Sequence, residues 1–465
     1  MMARVSRIQA GMGDEPIPAF CYHAPSCAIM RHHRRREGKG SASMLRLVVG
    51  SLIFAATLIL IITRPFRLTE AIISAGGGLL MLLVGIVAPG DALSILLSQW
   101  NIFGFFLGLM VIAAIADSAG VFDTLAWQAA RLARGSALRL YLAIFAVGVI
   151  ITAFLSNDAT ALILTPVVYA LVTRLRLPVL PFMFACTFIA DTASFLLPVS
   201  NPINILALDA FGGDLATFLR YLALPALVCI TLNVSLFTLL FRRSLGARYD
   251  VAAAPEPATD PCFLRAVVAA LSVVAIGYVV ASALGAPLSL VALAGSLLLL
   301  GCAAWARRLD VKRWRRDISW SLFVFIAGMF VLVRGVENLG LTAAFGRALL
   351  RLAGSSQLGA VALVAGGTAL GANLINNVPM ALVMISAIHG VHAPAATQTG
   401  MVFALILGAD LGPNLTTVGS LATILWVLIL RRKGLEISTR EYAKLGLMVV
   451  PVMLALGVLL IWLRL

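Results

Sequence analysis

The sequence predicts an all-α polytopic membrane protein made of two inverted repeats of five spans. Each repeat is expected to carry a re-entrant hairpin and a broken transmembrane helix. Three observations predict this. The 465 residues are 61% hydrophobic and only 12% charged, a balance foreign to soluble globular domains. Apolar runs long enough to span a bilayer recur from Leu45 to Leu465. Two polar motifs inside such runs, Leu155-Ser156-Asn157-Asp158-Ala159-Thr160-Ala161-Leu162-Ile163 and Ile375-Asn376-Asn377-Val378-Pro379-Met380-Ala381-Leu382-Val383, match in register. Asn377 minus Asn157 is 220, and Leu382 minus Leu162 is 220.

The elements are read in chain order. Residues 1–43 hold Arg31-His32-His33-Arg34-Arg35-Arg36 and no apolar period. They form either a disordered basic tail or a misassigned start, with translation expected at Met44. Residues 44–248 are the first repeat, 249–263 a cytoplasmic linker, and 264–465 the second, inverted repeat. Spans are expected at 45–63, 69–88, 101–117, 180–208, 217–241, 264–284, 287–305, 320–337, 399–430 and 446–464. The stretches 139–173 and 359–388 carry the polar motifs. As one helix, 139–173 would measure roughly 50 Å, against a hydrocarbon core of about 30 Å. A hairpin with Asn157 and Asp158 at its tip fits better, and such backbone must face protein or a water-filled cavity.

The self-similarity extends further. Trp100 matches Trp320, Gly108 matches Gly328, Gly120 matches Gly340 and Arg131 matches Arg351 at offset 220. Ala190-Asp191 matches Ala409-Asp410 at offset 219. Five crossings between Trp100 and Trp320 turn the second half upside down, as in many secondary transporters. Basic loops at Arg131–Arg139, Arg174–Arg176, Arg242–Arg248, Arg307–Arg316 and Arg431–Lys433 fall on one face, which is therefore cytoplasmic. Both termini are then expected outside. Because 17 of the 35 Lys and Arg residues sit in these short loops between apolar runs, the net charge of +15 is read as an orientation signal and not a nucleic-acid footprint.

The candidate site is polar and mid-membrane. Pro198-Val199-Ser200-Asn201-Pro202 interrupts one span, and Gly412-Pro413-Asn414-Leu415-Thr416-Thr417 interrupts its counterpart. Proline removes a backbone donor and clashes with the preceding turn, so both spans break and expose backbone groups. Asp158 is the sharpest candidate, because a desolvated carboxylate tends to bind a proton; the competing role is a polar cap on the hairpin turn. Asn157, Asn376 and Asn377 either cap half-helices or touch substrate. Asp191 and Asp410 take repeat-equivalent places, for transport or for structural pairing. Ser200, Asn201, Asn414, Thr416 and Thr417 complete the substrate or proton site. Arg334 and Glu337, three apart on a helix, are expected to pair. No metal site or cofactor is expected. The cysteines Cys21, Cys27, Cys186, Cys229, Cys262 and Cys302 are not clustered, and the histidines lack metal spacing.

Phe188-Ile189-Ala190-Asp191-Thr192-Ala193-Ser194, Gly408–Asn414, Gly419–Trp426 and Asn157–Pro166 resemble arsenical pump membrane proteins, arsenite efflux permeases of the ion transporter superfamily. The resemblance covers about Met44 to Leu465. It implies proton-coupled export of arsenite and antimonite across the inner membrane, in some members assisted by a soluble arsenite-stimulated ATPase. The chemistry agrees: arsenite near pH 7 is largely a neutral trihydroxide, and Asn, Thr and free backbone groups satisfy hydroxyls without a fixed cation. Two other readings remain. One is a sodium/proton antiporter of the same superfamily. The other is a membrane-embedded enzyme, for which no nucleophile–base or HExxH arrangement is present.

Overall fold

The computed structural model describes residues 40–63, 69–254, 260–284, 286–309, 318 and 320–465. The basic tail, Arg64, Arg67, residues 255–259 of the expected linker and the whole of 310–317 lie outside the described residues. Those that are described form helices and short turns, with one isolated two-residue bridge and no strand.

The helices follow the apolar runs. The first half holds α1 (Gly40–Thr63), α2 (Glu70–Leu83), α3 (Pro89–Ser98), α4 (Trp100–Ser118), α5 (Val121–Leu132) and α6 (Ala137–Phe154). Next comes one continuous helix, α7 (157–174), with a π-helical turn at Thr160–Leu164. Then follow α8 (Val179–Thr192), α9 (Pro202–Phe211) and α10 (Leu215–Leu240). The second half holds α11 (Pro261–Ala283), α12 (Leu288–Trp305), α13 (Trp320–Asn338), α14 (Leu341–Ala353), α15 (Gln357–Ile375), α16 (Asn377–His389), α17 (Ala395–Leu411), α18 (Leu421–Arg432) and α19 (Thr439–Trp462).

Among the described residues, ten helices are long and apolar enough to cross a membrane: α1, α4, α6, α10, α11, α12, α13, α15, α17 and α19. This set corrects the expected spans in one place. The run 69–88 is a short helix ending at Leu83, because Gly85 at φ 73° turns the chain into α3. The run 180–208 is broken at Pro198–Pro202, as those prolines predict, into two short helices. The first arms of the two expected hairpins, α6 and α15, have 18 and 19 residues, lengths that by themselves also suit a crossing. The helices α5 and α14 were not expected at all. Each starts after a glycine at φ 74°, Gly120 and Gly340, and carries arginine in its last turn.

Packing between the halves is reciprocal. In the first half α4 lies along α12 of the second, and α13 of the second lies along α2 of the first. Repeat-equivalent glycines make the close approach. A Cβ on Gly108 would stand 2.5 Å from the Ala292 backbone, and one on Gly328 would stand 2.5 Å from the Ser74 backbone. No larger residue fits either contact without moving a helix. Arg334 and Glu337 pair at 2.9 Å, as their spacing predicts. The segment after α10 is docked and not a free linker at its start: Tyr249 N–H donates to the Gly135 carbonyl at 3.0 Å, and Tyr249 Oη donates to the Ala130 carbonyl at 2.6 Å.

Candidate functional site

Two hairpin tips and two helix breaks meet in the interior. At the first tip, Ser156 caps α7 by accepting from the Ala159 N–H at 3.1 Å. Asn157 Oδ1 accepts from the Asp158 N–H at 2.9 Å, so its oxygen is a cap while its amide reaches Asp191. The arms are tied by the hydroxyls of Thr152 and Thr160 at 2.8 Å. The π-helical turn that begins at Thr160 offsets the register just past the tip, a feature that often marks functional sites. Asp158 is half-buried, and among the described residues no Lys or Arg pairs with it.

At the second tip, Asn376 adopts φ 74°, left-handed for a non-glycine, and its side chain accepts from the Val378 N–H at 3.4 Å. Asn tolerates this conformation better than most residues. The Asn377 N–H donates to the Gly419 carbonyl at 3.1 Å, joining tip to break. Asn373 holds the same junction: its Nδ2 donates to the Ala369 and Gly412 carbonyls at 2.7 and 2.8 Å, and its Oδ1 accepts from Thr416 Oγ1 at 2.6 Å.

The buried carboxylates cross between the halves. Asp191 ends α8, and its Oδ2 accepts from Thr423 Oγ1 at 3.4 Å in the first turn of α18. Asp410 ends α17, and its Oδ1 accepts from Asn201 Nδ2 at 2.5 Å, the N-cap of α9. Each carboxylate therefore faces the N-terminus of the half-helix contributed by the other half of the chain. A helix N-terminus carries roughly half a positive charge, which compensates an anion without a cation. Both aspartates are 1% exposed. Asp410 Oδ2 has no hydrogen bond within normal geometry among the described residues, with Ser194 nearby. Asn157 and Asp158 stand beside Asp191.

Asn414 Nδ2 bridges to α8, 3.4 Å from both the Phe188 carbonyl and Thr192 Oγ1, while its Oδ1 is unpartnered. Ser200 is fully used: it donates to the Ala153 carbonyl and accepts from the Leu197 N–H, both at 3.2 Å. Thr416 is likewise occupied by Asn373. Thr417 is buried, with no hydrogen bond from its side chain. So Asn157, Asp158, Asp191, Asn201, Asp410 and Asn414 converge, whereas Ser200, Asn376 and Thr416 hold backbone. Sequence reasoning missed five participants, Asn373 among them. Thr423 and Thr192 bond the site directly. Asn233 Nδ2 donates to Thr192 at 2.9 Å, and Asn204 Nδ2 donates to the Ser194 and Leu197 carbonyls at 2.7 and 3.1 Å. Asn233 is the one amide side chain in the 26-residue apolar helix α10, and a polar group at that depth is a functional signal.

Beside the site, Phe184, Phe188, Phe237, Trp426 and Tyr442 pack as one aromatic cluster, with Trp426 and Tyr442 fully buried. This wall keeps water and lipid from Asp191 on one side. Cys186 and Cys229 are buried apart from each other, and Cys262 is exposed.

A helical membrane bundle whose breaks gather buried carboxylates and amides has the features of a multi-pass transporter. The model of the arsenical pump membrane protein family matches residues 49–463. The chain belongs to that family, and is a multi-pass inner-membrane protein. It is 32% identical over 414 residues to the arsenical pump membrane protein of Escherichia coli K12, covering 88% of this chain and 96% of that one. It is 33% identical, with the same coverage, to that of Yersinia enterocolitica. The fold is similar to the crystal structure of the Alcanivorax borkumensis YdaH transporter, with a TM-score of 0.50 at 17% identity, covering 81% of this chain and 89% of that chain.

Proposed function

We propose that the protein exports arsenite and antimonite across the inner membrane in exchange for protons. The observation that carries this reading is the crossed pair: Asp191 with Thr423 and Asp410 with Asn201, buried and without a cation among the described residues. An anion desolvated this deeply costs several kcal/mol unless compensated. Arrival and departure of protons at Asp158, Asp191 and Asp410 is the chemistry that such sites support. The neighbouring amides Asn157 and Asn414 offer hydrogen bonds to a neutral trihydroxide, and no Lys or Arg competes for them.

We further infer that residues 44–248 and 264–465 are inverted repeats, and that both hairpins are re-entrant. The reciprocal packing of α4 on α12 and of α13 on α2 supports a two-fold relation in the membrane plane. The basic loops then face the cytoplasm, the side a soluble ATPase partner would meet. The test is purified protein in proteoliposomes with an imposed pH gradient. Arsenite movement that follows the gradient and collapses with a protonophore is expected. Movement unaffected by the protonophore would overturn proton coupling.

A further inference from the structure

The second arms of the two hairpins end in matched contacts. Tyr169 lies 12 residues after Asn157, and His389 lies 12 after Asn377; 389 minus 169 is 220, the offset of the tips. Tyr169 Oη donates to the Lys433 carbonyl at 3.3 Å, and the Lys433 ammonium stands 5.8 Å over the Tyr169 ring. His389 Nε2 lies 3.1 Å from the Ala210 carbonyl, and its ring stacks on Phe211 at 4.2 Å. Lys433 caps α18 and Ala210 lies in the last turn of α9. Each contact therefore joins one repeat's hairpin to the outer end of the half-helix that follows the break in the other repeat. At offset 219 Ala210 corresponds to Ile429, one helical turn before Lys433. The carbonyls bonded are ones that a helix C-terminus leaves without an internal donor.

Loop charge assigns the two contacts to opposite faces. Tyr169 and Lys433 stand among Arg174, Arg431 and Arg432, whereas the loop 212–214 after Ala210 and Phe211 has no Lys or Arg. Twelve residues of helix carry each contact about 18 Å from its tip, at the mouth and not in the polar centre. We propose that Tyr169 and His389 are the two closing latches of alternating access, one on each face. Both contacts are made in this structure. Transport breaks one while the other holds. Releasing Tyr169 frees the first hairpin from α18 and opens the basic face; releasing His389 frees the second hairpin from α9 and opens the opposite face. This rests on the reading of the polar centre as the transport site.

The test is labelling with a membrane-impermeant maleimide in oriented vesicles. The reporter is Ser156→Cys at the first tip, in a chain whose own cysteines are replaced by Ala. Tyr169→Phe keeps the ring and loses the donor. It should raise labelling several-fold from the basic face alone. His389→Phe keeps the stack on Phe211 and should raise it from the opposite face alone. His389→Gln, which retains an N–H donor, should return labelling to the parent level. Lys433→Met, which loses only the ammonium over the ring, should give a smaller rise on the basic face. Equal changes from both faces, or none in any variant, would overturn the latches. Face-selective labelling in a protein that moves no arsenite would keep the latches and overturn the substrate reading instead.

Discussion

Asn201 and Asp410 are joined across the two halves of the chain, amide to carboxylate, at 2.5 Å. The other oxygen of Asp410 has no hydrogen bond within normal geometry among the described residues. Asn201 and the nearby Ser194 are neutral donors, and a carboxylate held by neutral groups alone can take up a proton without losing a cation partner. Asp410→Asn should insert normally and lose transport by at least tenfold, which corresponds to about 1.4 kcal/mol or more of lost coupling. Arsenite uptake by everted vesicles, normalised to protein in the membrane, is the measurement; wild-type uptake would refute the role. Asn201→Ala should behave differently. It leaves a buried carboxylate less satisfied, at a cost of about 1–3 kcal/mol or more, and should lower the amount of stable protein.

Asp158→Asn should abolish proton-coupled export while the protein remains folded and inserted. The motivation is its place at the first tip beside Asp191, with no cation paired to it. Cells expressing the variant at normal levels should lose arsenite resistance; full resistance would remove Asp158 from the mechanism.

Asn373→Ala should destabilise the second hairpin. It deletes two donated bonds and the acceptor for Thr416. Each neutral bond contributes about 1 kcal/mol, and orphaned carbonyls add to the loss. A fall of several degrees in the melting temperature of detergent-solubilised protein is expected, with Asn373→Gln no rescue because the longer side chain cannot reach the same three atoms. An unchanged melting temperature would show that the junction does not rest on this residue.

A chain with all six cysteines replaced by Ala should still transport. Buried Cys186 and Cys229 lie in α8 and α10 and are not gathered into a thiol site. Loss of transport at normal membrane levels, traced to Cys186 by restoring it alone, would show a thiol ligand for the metalloid.

Asp214 caps α10 by accepting from the Thr217 N–H at 2.8 Å. Hydrogen bonds from Thr217 hold its carboxyl below the usual carboxylate range. A lowered folded value means the cap stabilises the folded protein above the unfolded carboxylate range and is lost as pH falls through the folded value. Asp214→Ala should therefore lower stability near pH 7 by about 1 kcal/mol, and the difference from the parent should vanish in strong acid. A difference that persists there would mean the residue acts by packing.

The large plan was legible because membrane folding writes it in composition. Long apolar runs, prolines at 198, 202 and 413, and paired amides at the tips are conspicuous in a chain that is 61% hydrophobic. The amphipathic helices α5 and α14 are invisible to apolar run length, because their signal is a 3.6-residue period broken by charged positions. Asn204, Asn233 and Asn373 were overlooked because each is a single polar residue in an apolar run, with its partner far away in sequence. That Asp191 meets Thr423 and Asp410 meets Asn201, and which oxygens stay unpartnered, depends on how the halves dock. No spacing within one half encodes it.

The glycine contacts have a consequence for biogenesis. α2 and α4 are inserted early, yet their closest partners, α13 and α12, are synthesised some two hundred residues later. Until then Ser74 and Gly108 face lipid or a chaperone. The first half emerging from the ribosome is thus a waiting intermediate, not an independent folding unit, and its small-residue grooves stay open until the later helices arrive. Quality-control proteases would meet their substrate in this window, and a bulky residue at Gly108 or Gly328 would hold the chain there.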